Sequence, residues 1–214
     1  MVQVLNRSSN RSSGRPAARP GAARQRRRSE ARRLEILHAA ARVFRRRGLA
    51  ASGMREIAEE ADLSPGNLYY YFGGKDELLR FCQERTLDHM LAAVEAARAG
   101  PASSAERVRA VLRAHVHAML DELEGATAHL EVELLPEPLR RSVIQKRDRY
   151  ERAVRELVKE GMAKGEFAAA DAALVTRAML GAVNWTARWY SPDGAQSVAQ
   201  IAEGIAGYLV KGLR

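Results

Sequence analysis

The sequence predicts an all-α protein of about nine helices, with a small three-helix head followed by a larger helical part. Three observations carry that prediction. After about residue 30, apolar residues recur at three- and four-residue spacing almost everywhere. No alternating Val/Ile/Thr run lies between turn residues as a strand requires. Gly, Pro and Ser fall where helices start and stop.

Residues 1–28 are rich in Arg, Ser, Ala, Gly and Pro. Such a segment buries too little surface to offset its ordering entropy, so it is expected to be disordered. The first helix is expected over residues 30–47, with Leu34, Leu37, Ala40, Ala41, Val43 and Phe44 inward and Gly48 as its stop. Ser52 is expected to cap a short second helix carrying Met54, Ile57, Ala58 and Ala61. Asp62 is a turn residue that tolerates a left-handed backbone. Ser64 caps a third short helix, with Pro65 in its first turn and Leu68, Tyr71 and Phe72 as its apolar contacts. After Gly73-Gly74 a long helix runs from Lys75 to Gly100-Pro101.

Ser103-x-x-Glu106 is a capping box opening the next helix, whose inward stripe is Val108, Leu112, His115, Val116 and Met119. A shorter segment, 128–135, precedes Pro136 and Pro138, and helices are expected over 139–162 and 170–190. The turn Ser191-Pro192-Asp193-Gly194 and a second capping box, Ser197-x-x-Gln200, introduce the last helix. The expected organisation is a tail (1–28), a head (29–76) and a C-terminal domain (77–214).

Composition narrows the function. Apolar residues make up 46%, enough for a sizeable core, and no apolar run approaches the ~20 residues that cross a bilayer. Nor does the N-terminal stretch hold the apolar segment of a signal peptide. The one cysteine, Cys82, suits a reducing, cytoplasmic setting. No Cys/His cluster has metal-ligand spacing, and no cofactor is implied. Sequence signatures of hydrolases, zinc proteases and dinucleotide-binding enzymes are absent, and Gly74-Lys75-Asp76 lacks the Ser/Thr of a phosphate loop, so no enzyme is expected. The formal charge of +9 is placed unevenly: residues 1–33 hold ten arginines against the single acid Glu30, which leaves the rest formally neutral. A basic tail on a neutral body fits a polyanionic partner such as nucleic acid, or serves only as a solvated extension.

Residues 33–78 combine a long helix, two short helices joined by a tight turn, and another helix start, which is the helix-turn-helix arrangement. Ser64, Asn67, Tyr69 and Tyr70 are expected on the exposed side of its second helix. There, short polar groups reach base edges and tyrosines reach phosphates or thymine methyls. Lys75, with the free N–H groups of its own helix end, is expected to anchor a phosphate. Tyr71 and Phe72 also suit the core, and Arg45, Arg46 and Arg47 suit a solvated face.

The string Ile57-Ala58-x-x-Ala61-x-Leu63-Ser64-x-Gly66-x-Leu68-Tyr69-x-Tyr71-Phe72-x-x-Lys75-x-x-Leu78 resembles the TetR family of bacterial transcriptional regulators. Upstream, Ile36-Leu37-x-Ala39-Ala40-x-x-x-Phe44-x-x-x-Gly48 resembles the family's first helix. Asp62 stands where the family usually has Gly, and Gly74 where it usually has a capping side chain. The resemblance implies DNA contacts from Ser52 and Arg55 on the second helix. It implies further contacts from Ser64, Gly66, Asn67, Tyr69, Tyr70 and Tyr71 on the third. Asn67 and Tyr70 are the leading candidates for base contact.

The same resemblance implies an effector pocket and a dimer interface in the C-terminal part. The last two helices are apolar over wide faces, with small residues at Ala178, Ala182, Ala202 and Ala206 that permit close helix approach. A twofold homodimer would read a roughly palindromic double-stranded operator. Polar residues on apolar stripes mark the candidate ligand site: His115, Arg147, Tyr150, Asn184, Trp185 and Trp189. Each also has a structural reading, and Arg147 could pair with Glu131 or Glu133. The segment Leu180-Gly181-Ala182-Val183-Asn184-Trp185-x-x-x-Trp189-Tyr190, with Arg147-x-x-Tyr150-Glu151, resembles family members that sense acyl-CoA thioesters in fatty-acid or steroid catabolism. The expected function is a repressor released from its operator by a small effector, an acyl-CoA by that resemblance. The alternatives are an activator of the same family and an architectural DNA binder driven by the tail.

Overall fold

The computed structural model describes residues 20–120 and 132–214, with side chains from residue 23. Among them are eight α-helices and no strand: α1 Pro20–Arg47, α2 Met54–Glu60, α3 Pro65–Tyr71, α4 Lys75–Ala99, α5 Ser104–Leu120, α6 Glu137–Ala163, α7 Ala172–Trp189 and α8 Val198–Lys211. A 3₁₀ turn, Val132–Leu134, precedes α6, and residues 128–131 of the expected short segment lie outside the described residues.

Two expectations are corrected. Helix α1 begins at Pro20, so residues 20–28 are helical, while 1–19 lie outside the described residues. The composition argument shows only that this stretch cannot fold by itself. Joined to a helix already anchored by Ile36, Leu37, Ala40, Val43 and Phe44, its Ala, Arg and Gln residues propagate one that need not nucleate. The second correction concerns Ser52. Gly53 caps α2, with the Glu56 carboxylate accepting from the Gly53 N–H at 3.1 Å. Ser52 instead donates its hydroxyl to the Gly48 carbonyl at 2.6 Å and closes the turn after α1.

The other start and stop signals form as expected. Ser64 accepts from the Asn67 N–H, and both capping boxes close, Ser103 with Glu106 and Ser197 with Gln200. Asp62 adopts φ 51°, the left-handed turn between α2 and α3.

Helix α1 packs on α2 and α3 to make the head. Its core is Ile36, Phe44, Ile57, Leu68 and Phe72, all nearly inaccessible. Behind it, α5 is the central helix of the C-terminal part, packed against α4, α6, α7 and α8. Ala202 and Ala206 of α8 are buried. Those small residues therefore serve packing within the chain, whereas Ala178 and Ala182 of α7 remain exposed.

Candidate nucleic-acid interface and buried polar cavity

The head sets α3 outward. Leu68 and Phe72 face the core, which turns Ser64, Gly66, Asn67, Tyr69 and Tyr70 to the outside. Tyr70 is 80% exposed and Tyr69 52%. Large aromatics left in water on a helix this short form a contact surface that the head's own packing does not explain. Tyr71 is half-buried against the core, and its ring meets that of Tyr70 edge to face at 5.2 Å. That contact holds Tyr70 upright on the outer face.

The remaining predicted contacts divide. Arg55 is exposed and sits 3.6 Å from Glu59 on its own helix. Ser52 is 4% exposed, so its hydroxyl serves the turn and leaves only the backbone of this position for a phosphate. Lys75 is engaged as well. Its Nζ donates to the carbonyls of Leu49, Ala50 at 3.4 Å and Ser52 at 2.7 Å. In this state Lys75 clasps the loop that presents α2. Gly74 offers no capping side chain to the α4 helix end, and Glu77 in its first turn accepts from the Gly73 N–H at 2.8 Å.

Sequence reasoning missed the braces around this face. Arg33 lies over the rings of Phe72 and Phe81, at 4.6 and 4.8 Å from their centroids, and pairs with Glu77 at 3.3 Å. Arg32 donates to the Ala61 carbonyl at 3.1 Å. Arg46 and Arg42 both pair with Glu60, and their hydrogen bonds hold its carboxyl down at about 2. These arginines looked like an undifferentiated basic run, because the spacing that unites them with α2 and α4 exists only after folding.

A second constellation lies inside the C-terminal part. His115 on α5, Tyr150 on α6 and Asn184 on α7 meet there: His115 Nδ1 to Tyr150 Oη is 3.1 Å, and His115 Nε2 to Asn184 Oδ1 is 2.9 Å. The amide oxygen only accepts, so Nε2 carries the proton and Nδ1 accepts from the phenol. Burial holds the imidazole down at about 4, against the hydrogen bond to Asn184 that raises it and with the Arg147 charge that also lowers it. His115 is therefore neutral at neutral pH. Burial likewise pushes the Tyr150 phenol up.

These residues and Arg147 line a half-open cavity of about 180 Å³, with Leu87, Met90 and Leu180 as its apolar wall and Asp148 and Glu151 also in its lining. Burial lowers the Arg147 guanidinium, and Glu133 opposes that shift. Four of the six predicted ligand residues are thus brought together. Trp185 and Trp189 are not: they stand on the outer side of α7, Trp185 at 65% exposure. Leu87 and Met90 were not foreseen as cavity residues, since in sequence they are indistinguishable from the core stripe of α4.

An outward-facing short helix in a braced three-helix head, set on a helical domain with a polar cavity, defines a helix-turn-helix DNA-binding regulator. Residues 36–81 match the family model described as bacterial regulatory proteins, tetR family, and residues 101–213 match tetracyclin repressor-like, C-terminal domain. The chain belongs to the TetR family of transcriptional regulators, which are not enzymes. A curated relative, the HTH-type transcriptional repressor KstR2 of Mycobacterium tuberculosis, is 27% identical over 186 residues, covering 86% of this chain and 93% of its own. Among solved structures, the TetR family regulator PfmR from Thermus thermophilus is 30% identical with a TM-score of 0.76, covering 84% of this chain and 98% of that one. AibR, solved in complex with isovaleryl coenzyme A and operator DNA, is 26% identical with a TM-score of 0.70, covering 84% and 98%. Among the described residues no helix is long and apolar enough to cross a membrane.

Proposed function

We propose that this chain is a repressor that leaves its operator when an acyl-CoA places its acyl group in the cavity at His115. The observation that carries the reading is the hydrogen-bonded set His115–Tyr150–Asn184, which joins three helices around a cavity walled on its fourth side by α4. Leu87, Met90 and Leu180 supply apolar surface for a chain, while Arg147 and the Asn184 amide supply donors for a thioester carbonyl. At about 180 Å³ the cavity is smaller than the ~300–1,000 Å³ of typical ligand pockets, so it takes a short acyl group as it stands. A bulkier one is accommodated by displacing α4, whose Leu87 and Met90 form one wall of the cavity.

That displacement is the switch. Helix α4 carries Leu87 and Met90 at the cavity and Lys75 and Glu77 at the head, where Lys75 holds the loop before α2 and Glu77 pairs with Arg33. One rigid helix therefore connects ligand to reading face, and its displacement re-aims α2 and α3. A coupling of about 1–3 kcal/mol changes operator affinity 5- to 150-fold. The KstR2 relative is named a repressor and AibR was solved with an acyl-CoA and DNA, which supports the same assignment here. Acting on the chromosome, the protein works in the cytoplasm.

The test has two stages. Sequencing the duplexes that the purified protein selects from genomic DNA identifies its operator, and substituting Tyr70 by Ala abolishes the selection. Operator affinity is then measured against acyl-CoAs graded from short branched chains to steroid-derived acids. A fall in affinity with at least one of them, lost in Tyr150→Phe with Asn184→Ala, is the expected result. An unchanged affinity across the whole series would remove the acyl-CoA class and leave DNA binding intact.

A further inference from the structure

We infer that the arginine-bearing helical extension at the start of α1 is a DNA clamp that supplies most of the phosphate affinity, leaving α3 to supply the sequence choice. The inference rests on α3 being the DNA-reading helix. Its first support is the charge balance of the head. Residues 34–76 carry six Lys/Arg and six Asp/Glu, so the segment that reads DNA is formally neutral. Most of those cations are also engaged: Arg42 and Arg46 with Glu60, Arg47 with Glu56, Arg55 with Glu59, and Lys75 with three carbonyls. A polyanion approaching this surface meets little net attraction.

The extension is the reverse. Arg24, Arg26, Arg27 and Arg28 are all exposed. Arg24, Arg27 and Arg28 stand at i, i+3 and i+4, on one face of the helix, and the single acid in residues 20–31, Glu30, lies at its edge, three residues after Arg27 and four after Arg26. The result is a stripe with four cations against one acid.

Placement is the second support. Arg32 is fixed to the Ala61 carbonyl, three residues before the Ser64 cap of α3. The extension therefore leaves the head at the end where α3 begins. The twelve residues 20–31 then run about 18 Å farther at 1.5 Å per residue, enough to pass several phosphates beyond those that α3 reaches. Because the extension is a continuation of α1, the stripe is already ordered and is held by the same helix that forms the head's core.

The experiment compares the full chain with a variant carrying Arg24→Ala, Arg26→Ala, Arg27→Ala and Arg28→Ala. Each binds the selected operator and a scrambled duplex of equal length and composition over a range of KCl. A released counterion contributes about 0.9 to the slope of log affinity against log salt. The expected result is a slope shallower by about 2–4 on both duplexes, with their affinity ratio unchanged. Replacing the four by Lys should restore the slope, because charge and not shape is used. Circular dichroism controls for helix loss. An Ala variant whose slope matches the parent within about 0.5, a little over half of one counterion, overturns the clamp, as does one whose specificity ratio collapses at constant slope. If the parent itself fails to distinguish the two duplexes, the reading of α3 fails instead.

Discussion

At the scale of single residues, His115 sets how stability responds to acid. Its folded value of about 4 lies below the ordinary 6.5, so between those limits the unfolded chain binds a proton that the folded chain refuses. The stabilisation is present above pH 6.5 and is lost as the pH falls toward 4, by about 3 kcal/mol in all. Denaturant midpoints measured from pH 7.5 to 4 should show this decline, and His115→Gln should flatten it. Asp62 presents a second test. Its φ of 51° is left-handed, a conformation that carries a small penalty for any residue with a Cβ. Asp62→Gly should leave operator choice alone and raise stability by up to about 1 kcal/mol in urea titrations. Gly161 gives the opposite outcome. A Cβ there would lie 2.2 Å from the buried ring of Phe167, whose own N–H donates to the Gly161 carbonyl. The ring cannot retreat without breaking that turn, so Gly161→Ala should destabilise by about 1–3 kcal/mol in the same titrations.

At the scale of elements, α4 and its clasp on the head are the test piece. Lys75→Met removes an ammonium from three carbonyls, and charged hydrogen bonds of this kind contribute about 1.5–3 kcal/mol. If Lys75 works as a clasp, operator affinity falls at least tenfold, exchange of head amides quickens, and effector affinity stays within twofold. A lysine that acts only by touching a phosphate would instead reduce the salt slope by about 1 and leave head exchange unchanged. The same elements show what a sequence reveals and what it withholds. Helix starts are local chemistry, so Ser64, Ser103 and Ser197 announced theirs. The exposed face of α3 followed from the periodicity of Leu68 and Phe72. His115, Tyr150 and Asn184 were visible as polar residues on apolar stripes, although their meeting depends on three helices crossing at one level. Trp185 and Trp189 were misplaced because an apolar helix with two unlike faces gives no sign of which one turns inward. The start of α1 was missed because helix propagation from an anchored core is not a property of the segment that propagates.

At the scale of the molecule, the outer face of α7 remains to be covered. Leu174, Ala178, Gly181, Trp185 and Trp189 form an exposed stripe along it, and Tyr208 of α8, 79% exposed, stands across a groove of about 580 Å³ from Val175 and Met179. Aromatics so exposed on adjacent helices are the pattern of a protein interface. A second copy related by a twofold axis would cover both helices and set two α3 helices about 34–36 Å apart on one face of DNA. The double variant Leu174→Glu, Trp185→Glu places charges in the middle of that surface and should give a monomer by sedimentation. Operator affinity should then fall at least a hundredfold, because the second head no longer binds from a high local concentration. The proposed effector cavity is built from α4, α5, α6 and α7 of one chain, so its affinity for ligand should survive in the monomer. A variant that stays dimeric places the interface elsewhere. One that becomes monomeric yet keeps full operator affinity means that each head reads DNA alone and that the pair adds nothing.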